Sequence, residues 1–308
     1  MSYERDMLSK YNMPSKRDVR KELLKSLFRY GGTIQEFGEG EYLVDEIARK
    51  FSLNKEQREA YLETTYYKEN RLKRTNLWHR LLYRAAESLA REDIVSHPKD
   101  TQILTGDREW MLTERGYEEA LKLIGYSTKE KENFDIKSYE LTHDFKEIVA
   151  NKKPKDYSPF VLNKEKKKKE VQKTLRKRSF RFSVIEAYNH KCAVCGLKLY
   201  SPDMNKWEVE AAHIIPHHKF GKDDIWNGFS LCKFHHWAFD VGWFSLSDDY
   251  NIILSKSAND LPTSFGKMWN HNLFNLLASN KNSIHLPSFN HLWPDKYAID
   301  WHRKNILK

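Results

Sequence analysis

The chain has 308 residues, 40% of them hydrophobic and 31% charged, so it is too apolar for wholesale disorder and long enough for two domains. Its formal net charge of +10 favours a polyanionic partner, nucleic acid first among them, although many basic proteins bind nothing acidic. Three cysteines, at 192, 195 and 232, exclude a disulfide framework; "MSYERDMLSK" has no apolar core of signal-peptide length, and no stretch is apolar for the length of a membrane crossing. A soluble, cytoplasmic protein is expected.

In chain order, "VRKELLKSLFRYGG" predicts an amphipathic helix ended by Gly31 and Gly32, and "EYLVDEIARKFSL" a second, with Leu43, Ile47 and Phe51 four apart. "RTNLWHRLLYRAAESLARED" predicts a third. Leu77, Leu81, Ala85 and Leu89 form its buried stripe, and Asn76, His79, Arg80 and Tyr83 lie on the opposite side. "DIVSHPKDTQILTGDREWMLT" holds two β-prone runs around a polar Pro- and Gly-containing turn, which suits a hairpin. Thr113 can then cap a last helix, "ERGYEEALKLIG". Three helices and a hairpin are the order of a winged helix-turn-helix domain, here expected over 1–150. In such domains the third helix enters the major groove. The pattern resembles the N-terminal domain of Mrr-type restriction proteins, through the Trp-containing third helix and the strand carrying Trp110, Leu112, Thr113 and Gly116. Dimerisation or contact with another protein is the alternative use of such a domain.

Residues 151–178 are expected to be a basic linker. "NKEKKKKEVQKTLRKR" is a dense run of like charge, and such runs repel themselves into solvated segments. Lys166, Lys167, Lys168, Lys169, Lys173, Arg176, Lys177 and Arg178 could equally track a phosphate backbone and release counterions from it.

The chemistry lies in 179–308. Cys192-x-x-Cys195-Gly196 reads as a zinc knuckle, and Cys232-x-x-His235 repeats its spacing, which completes a Cys₃His structural Zn²⁺ site. That assignment frees His236. Four residues after His235 comes Phe239, suited to a core; four after His236 comes Asp240, so His236 and Asp240 share a helix face as two ligands of a hard metal should. An ordinary ion pair has the same spacing. Upstream, "KWEVEAAHIIPHH" is β-prone and brings His213 to a strand end before Pro216.

Strand with His213, loop, "WNGFSLC" with Asn227, then a helix with His236 resembles the ββα-metal arrangement of HNH endonucleases. The resemblance is closest to members reading A-H-I-x-P, N-G-x-x-L and H-x-x-x-F-D-x-G; this chain has Ala212 to Pro216, Asn227 to Leu231, and His236 to Gly242. It implies an α+β nuclease domain with His213 as general base. Asn227, through its backbone carbonyl or its amide, would brace the loop and orient that histidine. It also implies a catalytic Mg²⁺ or Mn²⁺ on His236 and Asp240. Many HNH sites carry Asp or His where this chain has Ala212; Glu210, on the same strand face, is a substitute ligand candidate, and Asn227 could coordinate instead. His217 and His218 are expected to face solvent.

The expected function is a DNA endonuclease, a restriction enzyme that reads double-stranded DNA by sequence or by modification. One HNH centre cuts one strand, so double-strand cleavage would call for a homodimer or two binding events. The alternatives are a catalytically silent zinc protein acting as a DNA-binding regulator, for which Ala212 is the support, and an RNA nuclease.

Overall fold

The computed structural model describes residues 3–37, 42–66, 71–161, 170–203, 205–259, 267–268, 271–272 and 283–308. They divide into two compact units, 1–142 with 203–205, and 143–202 with 206–308.

The first unit begins with α1 (Tyr3–Lys10), α2 (Lys16–Arg29), β1 (Thr33–Gln35), α3 (Tyr42–Lys50) and α4 (Lys55–Glu59). A hairpin of β2 (Tyr61–Tyr66) and β3 (Arg71–Asn76) follows, then α5 (Leu77–Ala90), β4 (Val95–Ser96), α6 (Pro98–Thr105), β5 (Glu109–Leu112) and α7 (Glu114–Leu123). α2, α3, α5 and α7 are the four helices expected from periodicity. Thr113 caps α7 as anticipated, its hydroxyl accepting from Gly116 N. β1, β5 and β4 form an antiparallel sheet in that order, with Ile34 opposite Trp110 and Val95 opposite Leu112. Trp78, Trp110 and Tyr117 are buried in its core, and the Trp78 indole donates to the Val44 carbonyl at 3.1 Å.

One expectation needs correction, and one element was unforeseen. β4 and β5 do pair, but a helix, α6, joins them in place of a tight turn. Pro98 stands at its first position after the His97 cap, and Gly106, with φ of 91°, ends it. The same proline and glycine that signal a turn also start and stop a helix. The β2–β3 hairpin, between α3 and the expected third helix, went unforeseen because its strands are polar and charged, without a legible apolar face.

α8 (Tyr139–Ala150) crosses the division into the second unit, which continues with α9 (Glu170–Ala187), β6 (Val209–His213), β7 (Gly228–Cys232), α10 (Lys233–Asp240), β8 (Phe244–Leu246) and β9 (Ile252–Leu254). The short pair β10 (Lys267–Met268) and β11 (His271–Asn272) and then α11 (Lys296–Asn305) complete it. β6 and β7 run antiparallel with His213 opposite Gly228 and Val209 opposite Cys232, and α10 follows β7 directly. The stretch expected as a linker is structured where it is described. Its C-terminal end is the first half of α9, and residues 157–161 lie against the loop between β6 and β7: Phe160 bridges Gly221, Val161 N donates to Phe220 O at 2.8 Å and Lys222 N to Pro159 O at 2.9 Å. Lys166, Lys167, Lys168 and Lys169 lie outside the described residues. Among the described residues no helix is long and apolar enough to cross a membrane.

The core beneath α10 centres on Phe239, packed edge-on against Phe229 and stacked on the His302 ring at 3.6 Å. Burying such a phenylalanine contributes about 1.5–3 kcal/mol. His302 is 1% exposed, with Nδ1 against Ser245 Oγ at 3.0 Å and Nε2 against the Phe239 carbonyl at 3.2 Å. Burial depresses its pKa from 6.5 to about 4. The folded protein therefore keeps the ring neutral where the unfolded chain takes up a proton, so this contribution is complete above pH 6.5 and is lost as pH falls towards 4. A loss of about 3 kcal/mol is expected across that window. The melting temperature of a His302→Gln variant should therefore fall less steeply with acidification than the wild type's, and parallel curves would contradict the assignment.

Candidate active site and metal centre

The zinc-type cluster is built by two turns. Gly196 adopts φ of 74°, a conformation open to glycine, which lets the chain fold back so that its N–H reaches the Cys192 carbonyl at 2.9 Å. Cys192 and Cys195 thus face one point, and β7 carries Cys232 into it. His235 Nδ1 lies 3.0 Å from Cys232 Sγ and 3.5 Å from Cys192 Sγ, Cys195 and Cys232 are 4.0 Å apart, and all four ligand atoms fall within 4.8 Å of one another. Three sulfurs and an imidazole at those separations match the edges of a tetrahedron around a Zn²⁺ ion with bonds of about 2.0–2.3 Å. Hydrogen bonds from Cys195 and Cys232 pull the Cys192 thiol far below its ordinary pKa, while contacts with Cys192 and Cys195 push Cys232 up, so Cys192 is the thiolate of the set before a metal binds.

The two adjacent histidines part company. His235 is 2% exposed and turned to the sulfurs. His236 faces the other way: its Nδ1 meets Glu210 Oε2 on β6 at 2.8 Å, and its Nε2 meets Asp240 Oδ2, one turn along α10, at 3.5 Å. Glu210 therefore occupies the ring nitrogen that Asp240 does not. This is how a metal-bound imidazole is usually held, with one nitrogen for the ion and the other on a carboxylate. The donor set of His236 Nε2 and the half-exposed Asp240 carboxylate fits a hard divalent ion. Burial opposes the charge on His236, but the bond to Glu210 and the Asp240 charge outweigh it and raise its pKa. Burial raises Asp240, against the charges of both His236 and His213, so the two histidines are felt at one carboxylate.

His213 ends β6. Its ring stacks on Phe180 of α9, with centroids 4.1 Å apart, and its Nε2 lies 2.9 Å from Asp223 Oδ1. Asn227 is fully buried, and none of its hydrogen bonds goes to the His213 ring. Its backbone carbonyl accepts from Ile214 N at 3.0 Å, its Oδ1 accepts from Ile215 N at 2.9 Å, and its Nδ2 donates to Ile215 O and Lys222 O. It ties the two ends of the 214–227 loop together. The loop is tight enough that a Cβ at Gly221 would lie 1.8 Å from the Ile215 carbonyl oxygen. Ala212 is buried and supplies no ligand.

Sequence reasoning missed Asp223 and Asp224. Asp224 accepts from Asn227 N at 3.2 Å and from the Tyr157 hydroxyl at 2.6 Å. The Asp-x-x-Asn spacing, a short-helix cap, was the available signal for Asp224; nothing local marked Asp223.

The residues expected to read DNA are partly committed elsewhere. The Asn76 Oδ1 caps α5, accepting from Trp78 N and His79 N, and its Nδ2 donates to Arg58 O. Arg80 pairs with Glu4 at 2.9 Å. Tyr83 is exposed and lies edge-on to Trp110. On α9, Lys177 is exposed and Arg178 is buried at 5% exposure, while Lys173 and Arg176 belong to the same helix.

Residues 192–247 match the HNH_2 family model, described as HNH endonuclease, and this stretch holds the cysteine–histidine cluster, β6, β7 and α10. Among solved structures, a modification dependent TagI restriction endonuclease is similar at 20% identity and a TM-score of 0.29 over 42% of this chain. The similar part spans 38% of that protein, and the likeness bears on no residue assignment. Among curated proteins none matches the chain.

Proposed function

We propose that this chain is a metal-dependent DNA endonuclease of restriction type. What supports the reading is that His213 at the end of β6, and His236 and Asp240 on α10, all lie within the stretch that matches HNH endonucleases, with the charge of His213 felt at Asp240. His213 takes a proton from the water that attacks the phosphodiester phosphorus. Asn227 braces the loop behind it. His236 and Asp240 are the residues that would hold Mg²⁺ or Mn²⁺, with Glu210 fixing the His236 ring and not serving as a ligand. A divalent ion bound there supplies positive charge to the phosphate and the departing 3′ oxygen. The Cys₃His cluster is a structural Zn²⁺ site, apart from the reaction. Cleavage is expected to leave 5′-phosphate and 3′-hydroxyl ends.

The first unit is proposed as the DNA reader, a winged helix over the N-terminal part. The sheet order β1–β5–β4 beside α5 supports this, and α6 takes the place of a plain wing turn. A hollow of about 670 Å³ there is lined by Lys16, Arg17, Lys21 and Lys122, with Leu24, Leu89, Leu123, Glu119 and an Arg20 already paired with Glu92; the four lysine and arginine side chains named first are proposed as phosphate contacts. A homodimer would bring the two centres that double-strand cleavage requires.

The test is cleavage of plasmid DNA from methylating and non-methylating hosts, with Mg²⁺, Mn²⁺ or chelator. Metal-dependent nicking or linearisation is expected, and a difference between the two plasmids would assign modification reading to the first unit. No cutting of either plasmid, with tight salt-sensitive binding to both, would overturn the nuclease reading in favour of a silent DNA-binding regulator.

A further inference from the structure

We infer that Asp223 is the positioning residue of the site: it holds His213 Nε2–H and leaves Nδ1 as the atom that accepts the proton. The inference rests on the nuclease reading and assigns the base to one atom of one ring.

The contact is 2.9 Å between His213 Nε2 and Asp223 Oδ1. An ionised carboxylate only accepts hydrogen bonds, so the nitrogen it faces must carry the proton and the lone pair falls to Nδ1. Burial disfavours the Asp223 charge, but the bond to His213, with the charges of His213, His217 and Lys177, holds its pKa below the ordinary value. The ring is also restrained on one face, where Phe180 stacks at 21° to it.

Asp223 is itself held from both sides along the chain. Lys222 O accepts from the Asn227 amide at 2.9 Å, and Lys222 N donates to Pro159 O. On the other side Asp224 accepts from Tyr157. A carboxylate fixed in this way fixes the ring in turn.

In the step itself, the attacking water gives one proton to Nδ1 and its oxygen bonds to phosphorus. The bond from phosphorus to the 3′ oxygen breaks, and that oxygen takes a proton from solvent. His213, briefly an imidazolium beside the Asp223 carboxylate, returns its proton to solvent.

The test uses the full chain with Asp223→Ala and Asp223→Glu, measuring single-turnover cleavage of plasmid DNA in Mn²⁺ and DNA affinity without metal. Asp223→Ala should lower the rate about 10–100-fold with affinity unchanged, and Asp223→Glu, which keeps the carboxylate, should recover part of it. An Asp223→Ala rate within about threefold of wild type overturns the role. Nitrogen-15 spectra of histidine-labelled protein, assigned with His213→Ala, give a readout independent of activity. A ring protonated at Nε2, with a proton exchanging faster in Asp223→Ala, supports the inference. A ring protonated at Nδ1 overturns it. If Nε2 carries the proton but the wild type cuts no DNA, the nuclease reading fails while the hold of Asp223 on the ring stands.

Discussion

Replacing His213 with alanine is expected to lower the cleavage rate by about 10²–10⁴-fold, the usual loss when a general base is removed. The fold should survive. The ring is about a quarter exposed, and the loop beside it is fastened by Asn227, Gly221 and Asp224 independently of it. The main structural cost is an Asp223 carboxylate left without its partner, about 1–3 kcal/mol for a buried group and less for one that water can reach. DNA affinity should be unchanged, because His213 is not among the groups proposed to bind phosphate. The measurement is a single-turnover rate beside a melting curve and a binding isotherm. A variant that cuts at the wild-type rate would remove His213 from the mechanism, and one that no longer melts cooperatively would make it a packing residue.

Replacing Cys232 with serine is expected to abolish zinc binding and unfold the second unit. Its sulfur lies 4.0 Å from that of Cys195 and 3.0 Å from His235 Nδ1, so its loss opens one side of the tetrahedron. A structural zinc contributes on the order of 10 kcal/mol in small metal-built folds. That is comparable with the entire stability of an ordinary domain, about 5–15 kcal/mol. The first unit has its own core around Trp78, Trp110 and Tyr117 and should keep its transition. Elemental analysis should find one zinc per wild-type chain in this cluster and none in Cys232→Ser, and calorimetry should lose only the transition of the second unit. Equal metal content and equal melting would reduce the three cysteines to packed side chains.

Much of this was legible because short-range spacing determines it. The repeated two-residue gaps in Cys192-x-x-Cys195 and Cys232-x-x-His235 gather the cluster, and the four-residue step from His236 to Asp240 is one helical turn. The partners that escaped are those brought together by chain closure. Asp223 lies ten residues from His213 across an irregular loop, and Tyr157 reaches Asp224 from 67 residues away. Glu210 was noticed for its strand face, but its partner, the far nitrogen of His236, depends on how β6 and α10 pack. Arg80 belongs to the polar side of its helix on a wheel projection; only the arrival of Glu4 from α1 turns it into an ion pair. Asn76 looked like a side chain of that face, yet it precedes the first helical turn, where its carbonyl oxygen serves the backbone.

The lashing of residues 157–161 to the 217–224 loop carries a consequence for how such a chain can be recombined. Tyr157, Pro159 and Phe160 touch the loop that carries Asp223, and Lys153 pairs with Asp295 at the cap of α11. Upstream of them, His291 contacts the Val149 carbonyl. A crossover near residue 179, where charge and composition suggest a boundary, would separate the loop that carries Asp223 from the belt that tightens it. The heritable cassette is therefore longer than its metal-binding motifs. It begins near residue 143, ahead of the belt, so an exchange of the first unit that is to keep this loop fastened must leave the belt with the second unit.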